Sequence, residues 1–556
     1  MTAVIEPRSA RGRLSLFSGG RFYVWLTLLA LALAAISLLY PSTPSYDPWS
    51  WLIWGREILH GHLTIAGGSS WKPLPVIFTT VFALFGSAQP NLWLIVARAG
   101  AVVSVLMSVR LTVRITWYLI SNGRDRGWFR ELAVGARGVA IAPVVLAGVI
   151  TLVGTALMPK YPGNMMLGYS EGVMGAAFLI ATERAWDGHH RQAFVLGLIP
   201  ALDRPEVWII WGPYGLWLMW KDRGARLLVI GLAVLMLALW IGPQKLGGGT
   251  ATGLVTHAQK NHASNSAVNS SFPFWHELRV DVWPLTLARV EIASLLLIAW
   301  TAFLTVRARR TVGNWSSALK ANPAAVAATL AGAFGFLWWI LIALETQAGF
   351  AGNPRYAVIG GEFVYVSGAA AYGWACLGLT RVGASVWGRL HRSSGSHPRG
   401  GSRAWIATVS TAVIAGLFVF VPNWFAHRLP TVNSIRYSLR YQARLREEVA
   451  SLVQREGGPQ KVLSCGSIMA NNLQVTMVAW YLDHPIPWVQ ALPRKFETGE
   501  RGPNVVFQNG TSSNAPDKQQ PTLAQMQAWE QGGSKYTVVK TDPVTLYMDC
   551  SSYSKT

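Results

Sequence analysis

The sequence predicts an α-helical polytopic membrane protein of about eleven spanning helices, followed by a small α/β domain outside the membrane. Three observations predict it. Of 556 residues, 51% are hydrophobic and only 13% charged, against roughly 25% charged in an ordinary soluble domain. Several apolar runs, among them 23–39, 92–117 and 324–344, reach the ~20 residues that cross ~30 Å of hydrocarbon. From Pro422 onward the composition turns to that of a soluble domain.

The elements follow in order. Residues 1–21 carry Arg8, Arg11, Arg13 and Arg21 and read as a cytoplasmic stub leading into an uncleaved signal anchor. Spans are expected near 22–40, 92–117, 138–157, 172–186, 193–203, 207–220, 226–243, 284–306, 323–344, 357–379 and 405–422. The run 73–85 is too short to cross and reads as an interfacial or re-entrant helix. Counted as a span, it would put Arg110, Arg114, Arg124, Arg126, Arg130 and Arg137 outside. Counted as interfacial, it puts 40–91 outside and those arginines inside, as the positive-inside rule requires. The inner loops then hold Arg184 and Arg191, Lys221, Arg223 and Arg226, Arg307, Arg309, Arg310 and Lys320, and the basic stretch 381–403 with its Gly/Ser-rich linker at 393–402. The net charge of +22 is thus largely loop charge on one side of a membrane. A nucleic-acid binder would gather it on one soluble face, so the expected surroundings are membrane lipids and no nucleic acid.

The membrane domain is bounded at 22–422, and an odd number of spans leaves 423–556 outside the cell membrane. That tail has helical spacing at 434–455, β-like runs at 461–465, 505–508, 536–540 and 544–550, and a helix at 472–482. Cys465 and Cys550 fall in it, and two cysteines in an exported domain suggest a disulfide, the other reading being two unpaired thiols. Cys376 lies inside a span as a small core residue.

Ionisable residues at the outer ends of spans are costly and are candidates for function. The first outer loop is the richest, with Asp47, Trp49, Trp51, Trp54, Arg56, Glu57, His60, His62, Trp71 and Lys72. A carboxylate at Asp47 could take a proton from a sugar hydroxyl as general base. Asp followed by Pro48 is equally a good helix start, and the two roles are compatible. Trp49 and Trp71 fit stacking on sugar faces and fit an aromatic belt equally well. Tyr169-Ser170-Glu171, Asp203-Arg204-Pro205-Glu206 and Asn353-Pro354-Arg355-Tyr356 return to the same side. Lys72, Arg204 and Arg355 are placed to hold a phosphate at the membrane surface. The alternative for each is an ion pair, such as Arg204 with Glu206 or Asp203.

These motifs resemble the GT-C superfamily of membrane glycosyltransferases that use polyprenyl-phosphate sugars. The resemblance rests on the acidic residue after the first span, Trp71-Lys72-Pro73-Leu74-Pro75, Phe85-Gly86 with Arg98, Tyr169-Ser170-Glu171 and the stretch 202–206, and covers roughly 22–380. The nearest pattern is the protein O-mannosyltransferase and aminoarabinose transferase branch. The tail, with Cys465-Gly466, looks like the extra domain of actinobacterial-type envelope glycosyltransferases. Many members carry paired acids after the first span, whereas Asp47 here is followed by Pro48. No metal site is indicated there, and a divalent ion stays open.

The resemblance implies an inverting glycosyltransferase on the outer face of the cytoplasmic membrane. Its donor would be a polyprenyl-phosphate sugar, and its acceptor a cell-envelope glycan, lipid or protein. Asp47 would be the base. Lys72, Arg204, Arg355, Glu171, Glu206, Trp49, Trp71 and Tyr169 would bind substrate. The sequence shows no Walker-type or Gly-rich dinucleotide motif. The rival readings are a flippase of lipid-linked sugars, which would show paired repeats and broken helices, and a non-catalytic protein whose tail binds glycan.

Overall fold

The computed structural model describes residues 20–121, 141–248, 267–390, 400–420, 424–492, 500–510 and 520–550. Residues 1–19 of the expected stub, Arg124, Arg126, Arg130 and Arg137, and residues 393–399 of the linker lie outside the described residues.

Within the described residues, each stretch expected to span is helical over most of its length. The helices are α1 Gly20–Ser37, α4 Gln89–Ile120, α5 Ile141–Ala156, α7 Glu171–Trp186, α8 His190–Asp203, α9 Trp208–Lys221, α10 Arg226–Leu246, α11 Ala288–Val312, α13 Pro323–Gln347, α14 Val358–Leu390 and α15 Gly400–Phe420. Between them lie α2 Tyr46–Leu59, α3 Pro73–Ala83, α6 Tyr161–Met166 and α12 Trp315–Ala321. Among the described residues, six helical stretches are long and apolar enough to cross a membrane: Gly20–Ser37, Gly86–Ile120, Arg223–Leu246, Ala288–Val312, Pro323–Gln347 and Pro354–Thr380. Ile141–Ala156 and Ala407–Phe420 are shorter apolar helices. Leu227, Ile230, Val234, Leu296 and Leu330 are exposed on helix after helix, a surface that only lipid tolerates. The chain is a polytopic membrane protein. Several helices outrun their apolar runs, α11 by six residues through Arg307, Arg309 and Arg310, because hydropathy marks where the hydrocarbon ends and not where the backbone stops coiling.

α4 and α14 form the middle of the bundle. α4 packs against α1, α5, α7 and α14, and α14 against α5, α11, α13 and α15. Glycines set the tightest crossing. A Cβ on Gly172 of α7 would lie 2.7 Å from the Ala101 nitrogen, and one on Gly100 of α4 would lie 2.6 Å from the Val173 Cα. The backbones meet there as small residues allow in membrane helices, one residue from Glu171.

α2, α3 and α6 lie at one end of the bundle. Pro48 through Gly55 of α2 are all buried, because α3 covers one side and the C-terminal domain another. That domain starts with α16 Trp424–Arg455 and adds α17 Pro459–Leu463, β1 Ile468–Ala470, α18 Val475–Tyr481, β2 Val489–Ala491, β3 Val505–Asn509, α19 Leu523–Gln531, β4 Thr537–Lys540 and β5 Val544–Met548. The sheet order is β2-β1-β3-β5-β4. β1 runs parallel to β2 and β3, while β5 is antiparallel to β3 and β4.

The expected strand at 461–465 is a correction: the segment is the end of α17 and its turn. Gly458 at φ 89° followed by Pro459 at the first helical position starts a helix there. Cys465 and Cys550 are joined in a disulfide with Cα atoms 4.4 Å apart. Since Cys465 precedes β1, the bond ties the end of α17, and not a strand, to the residue beyond β5. Cys376 is buried in α14.

The domain docks on the Asp47 loop. Trp480 and Tyr481 of α18 pack against Trp49, with ring centroids 5.2 and 5.9 Å away. Arg56 donates to the Trp480 carbonyl at 3.0 Å and pairs with Asp483 at 2.8 Å. Trp480 Nε1 donates to Gln89 Oε1, and Arg446 of α16 donates to the Ser42 carbonyl.

Candidate active site

Asp47 is the second residue of α2; Ser45 holds the N-cap position and makes no side-chain cap. The Asp47 carboxylate points across the bundle end, where Arg355 Nη2 donates to its Oδ2 at 2.5 Å. Its place in the first turn suits a carboxylate, since the amide dipoles there are positive at their exposed end.

Arg355 sits in the short turn Pro354–Ala357 that leads into α14, with Asn353 accepting from its backbone N–H. Its guanidinium lies 4.1 Å from the Tyr169 ring centroid and 5.1 Å from that of Tyr356. Arg355 Nε is 3.6 Å from Glu171 Oε1. Glu171, the first residue of α7 and fully buried, also faces Lys72 Nζ at 3.5 Å through the same oxygen. Lys72 precedes α3 in extended conformation, so its side chain runs back under the loop. There it meets Ser170 Oγ at 3.2 Å and Asp203 Oδ2 at 3.6 Å. Arg204 pairs with Glu206, and its guanidinium lies 3.6 Å from the Tyr356 centroid. Tyr356 thus has Arg204 and Arg355 both against its ring.

The result is one network, buried except at the half-buried Asp47 and Tyr356. It runs from Asp47 through Arg355, Glu171 and Lys72 to Asp203, with Tyr356 linking Arg204 and Glu206 to it. Residues from α2, the turn before α3, α7, the α8–α9 junction and the turn before α14 converge on it, at the end of the bundle that carries the C-terminal domain. Arg355 Nε and Nη1 make no hydrogen bond among the described residues, nor do both oxygens of Asp203, Glu171 Oε2 and Glu206 Oε2. An unsatisfied buried polar group costs about 1–3 kcal/mol. Of the two Arg355 nitrogens, Nε is turned toward Glu171, and Nη1 is the charged donor left for an anion's oxygen.

Trp71 and Trp49 are both buried. Trp71 packs 5.5 Å from Trp54 and donates to the Leu239 carbonyl, so it is core. Trp49 packs against the C-terminal domain. The Arg204–Glu206 pair reduces Arg204's freedom to meet a ligand. Burial pushes Tyr169 and Tyr46 up to about 12, so both stay neutral phenols. Glu57 is buried too and accepts from the Thr64 backbone N–H at 2.8 Å. Among the described residues no group of three or more His, Cys, Asp or Glu could hold a metal ion.

Residues not singled out as site residues include Asp203, Ser170 and Tyr356. Each adjoins one that was, and an acid beside Arg204 in an apolar setting was the available signal. The docking of α18 on the Asp47 loop had none, since Trp480 and Tyr481 lie over 400 residues along the chain from Trp49.

No family model matches the chain, and no curated protein does. Among solved structures it is similar to ArnT from Cupriavidus metallidurans bound to undecaprenyl phosphate, with a TM-score of 0.42 and 13% identity over 97% of this chain and 100% of that one. The apo state of the same protein gives a TM-score of 0.45 and 12% identity over the same shares.

Proposed function

We propose that the protein is an inverting glycosyltransferase that takes a sugar from a polyprenyl-phosphate donor at the outer face of the cytoplasmic membrane. The observation that carries the reading is the Asp47–Arg355 pair, whose buried guanidinium has Nη1 without a hydrogen-bond partner among the described residues and shares Glu171 with Lys72. One guanidinium holds the base by Nη2 and has Nη1 left to donate to a phosphate oxygen. The acceptor oxygen bonds to the anomeric carbon as the bond from that carbon to the phosphate oxygen breaks. Asp47 takes the acceptor's proton, and polyprenyl phosphate leaves with one more negative charge. Arg355 and Lys72 stabilise that growing charge, an effect worth most in a dry site prepared in advance. The motif resemblance agrees with this assignment.

Mass analysis of envelope glycans with wild-type and Asp47→Asn protein tests it. The amide keeps the shape but is too weak a base, so the glycan product should disappear while donor binding survives. An active Asp47→Asn protein would leave Asp47 as an ion-pair partner only and shift the search for a base to Glu171 or Glu57.

A further inference from the structure

A cavity of about 230 Å³ lies between the membrane domain and the C-terminal domain. One wall is Tyr46, Trp49 and Tyr169; the other is Gln442 on α16 with Gln474 and Met477 at the start of α18. The cavity adjoins the catalytic network through two residues. Tyr46 immediately precedes Asp47, and Tyr169 both lines the cavity and carries Arg355 against its ring. Two of the lining residues, 4% and 1% exposed, carry a polar atom buried without a hydrogen-bond partner among the described residues: Gln474 Oε1 and Trp49 Nε1. One is an acceptor and the other a donor. Ser45 Oγ and Tyr169 OH share a single hydrogen bond across the same space, which leaves each hydroxyl further capacity.

We propose that this cavity is the acceptor subsite and that it takes an electrically neutral carbohydrate unit, with the C-terminal domain supplying half of its wall. The inference rests on the transferase reading for the word acceptor, but the chemistry of the cavity is its own. Amide, indole and hydroxyl groups in alternating donor and acceptor roles match sugar hydroxyls, each of which both donates and accepts. The Met477, Leu473 and Leu445 side chains and the aromatic residues offer the apolar surface that the C–H faces of a sugar need. The lining includes no Asp, Glu, Lys, Arg or His. A phosphate or uronate would therefore enter unpaired, at heavy cost. A lipid chain would offer no hydrogen bonds to the Ser45, Asn164, Gln442 and Gln474 side chains of the lining. The volume falls below the ~300–1,000 Å³ of drug-sized sites, so the cavity suits a single sugar unit, with the rest of a glycan outside.

The test is saturation-transfer NMR on the full-length protein in nanodiscs, with methyl mannoside, methyl glucoside and methyl glucuronide as probes. The neutral glycosides should bind at least tenfold more tightly than the glucuronide. Gln474→Leu should weaken the neutral glycosides at least fivefold, while Asp47→Asn should retain them. Should Gln474→Leu fail to fold, Gln442→Leu on the opposite helix serves in its place. Equal binding of the glucuronide, unchanged binding in the Gln variant, or no binding of either neutral glycoside to wild type overturns the proposal. The glycan analysis of Asp47→Asn is independent of these results. Glycoside binding with an active Asp47→Asn protein would sink the catalytic role and leave a neutral-sugar site. Loss of product without glycoside binding would do the reverse.

Discussion

Lysine cannot replace Arg355 at little cost. The guanidinium holds Asp47 with one nitrogen, turns a second toward Glu171, keeps Nη1 to donate and lies 4.1 Å from the Tyr169 ring centroid; an ammonium is a point charge without that planar set of donors. Arg355→Lys should lower the transfer rate on the order of 10²–10³, the range for losing one donor to developing charge, with a smaller effect on donor binding. A rate within threefold of wild type would remove Arg355 from the reaction. A second residue makes a pH-dependent statement. Glu277, between α10 and α11, is fully buried, and neither of its oxygens has a hydrogen-bond partner among the described residues. Burial, with Asp281 nearby, pushes its carboxyl up to about 8. The folded state therefore keeps a proton that the unfolded chain loses near 4.5. Its contribution to stability is complete below that pH and declines as pH rises toward 8, by at most roughly 1.36 kcal/mol per unit. Glu277→Gln keeps the neutral shape and abolishes the loss. The Tm of the variant relative to wild type should climb between pH 5 and 8, and a flat difference would show that the carboxyl is not held protonated.

At the scale of elements, the site depends on how closely α4 and α7 approach. Gly172→Ala puts a methyl 2.7 Å from backbone at Ala101, so the helices must part. Overpacking of this kind costs about 1–3 kcal/mol, and the shift falls on Glu171, the neighbouring residue. Both Tm and transfer rate should drop. Gly231→Ala in α10, with nothing within 4 Å of the new atom, should change neither. The helices themselves were legible in the sequence, because a membrane demands long apolar runs and basic loops on one side. α8 and α9 were least sharp, at 14 residues each with charges at their junction. The site was half legible. Lys72, Glu171, Arg204 and Arg355 stand out as charges in apolar surroundings, but their pairing does not: Asp47 and Arg355 are 308 positions apart, and no local spacing brings them together. For Trp71 the sequence left sugar stacking and an aromatic belt equally open, because a buried tryptophan and an exposed one look alike in a sequence. β1 and β2, three residues each, are too short to show alternation.

At the scale of the molecule, the docked domain and the disulfide lie on the side that the proposed function puts outside. The C-terminal domain rests on the loop with Asp47, so the network, the cavity and the Cys465–Cys550 bond share one face. Arg309 and Arg310 close α11 at the other end, and Lys221 closes α9. Positive residues tend to stay in the cytoplasm and disulfides to persist outside it, and both rules support the proposed orientation. A Cys376→Ser background leaves no free thiol, since the other two cysteines are bonded. In it, a cysteine at Lys160, exposed on the domain's side, should react with an impermeant maleimide added to intact cells. A cysteine at Arg310 should react only after the membrane is opened. The reverse pattern would put the disulfide in a reducing compartment and the base on the wrong side for an exported acceptor, and the transferase reading would fall with the topology.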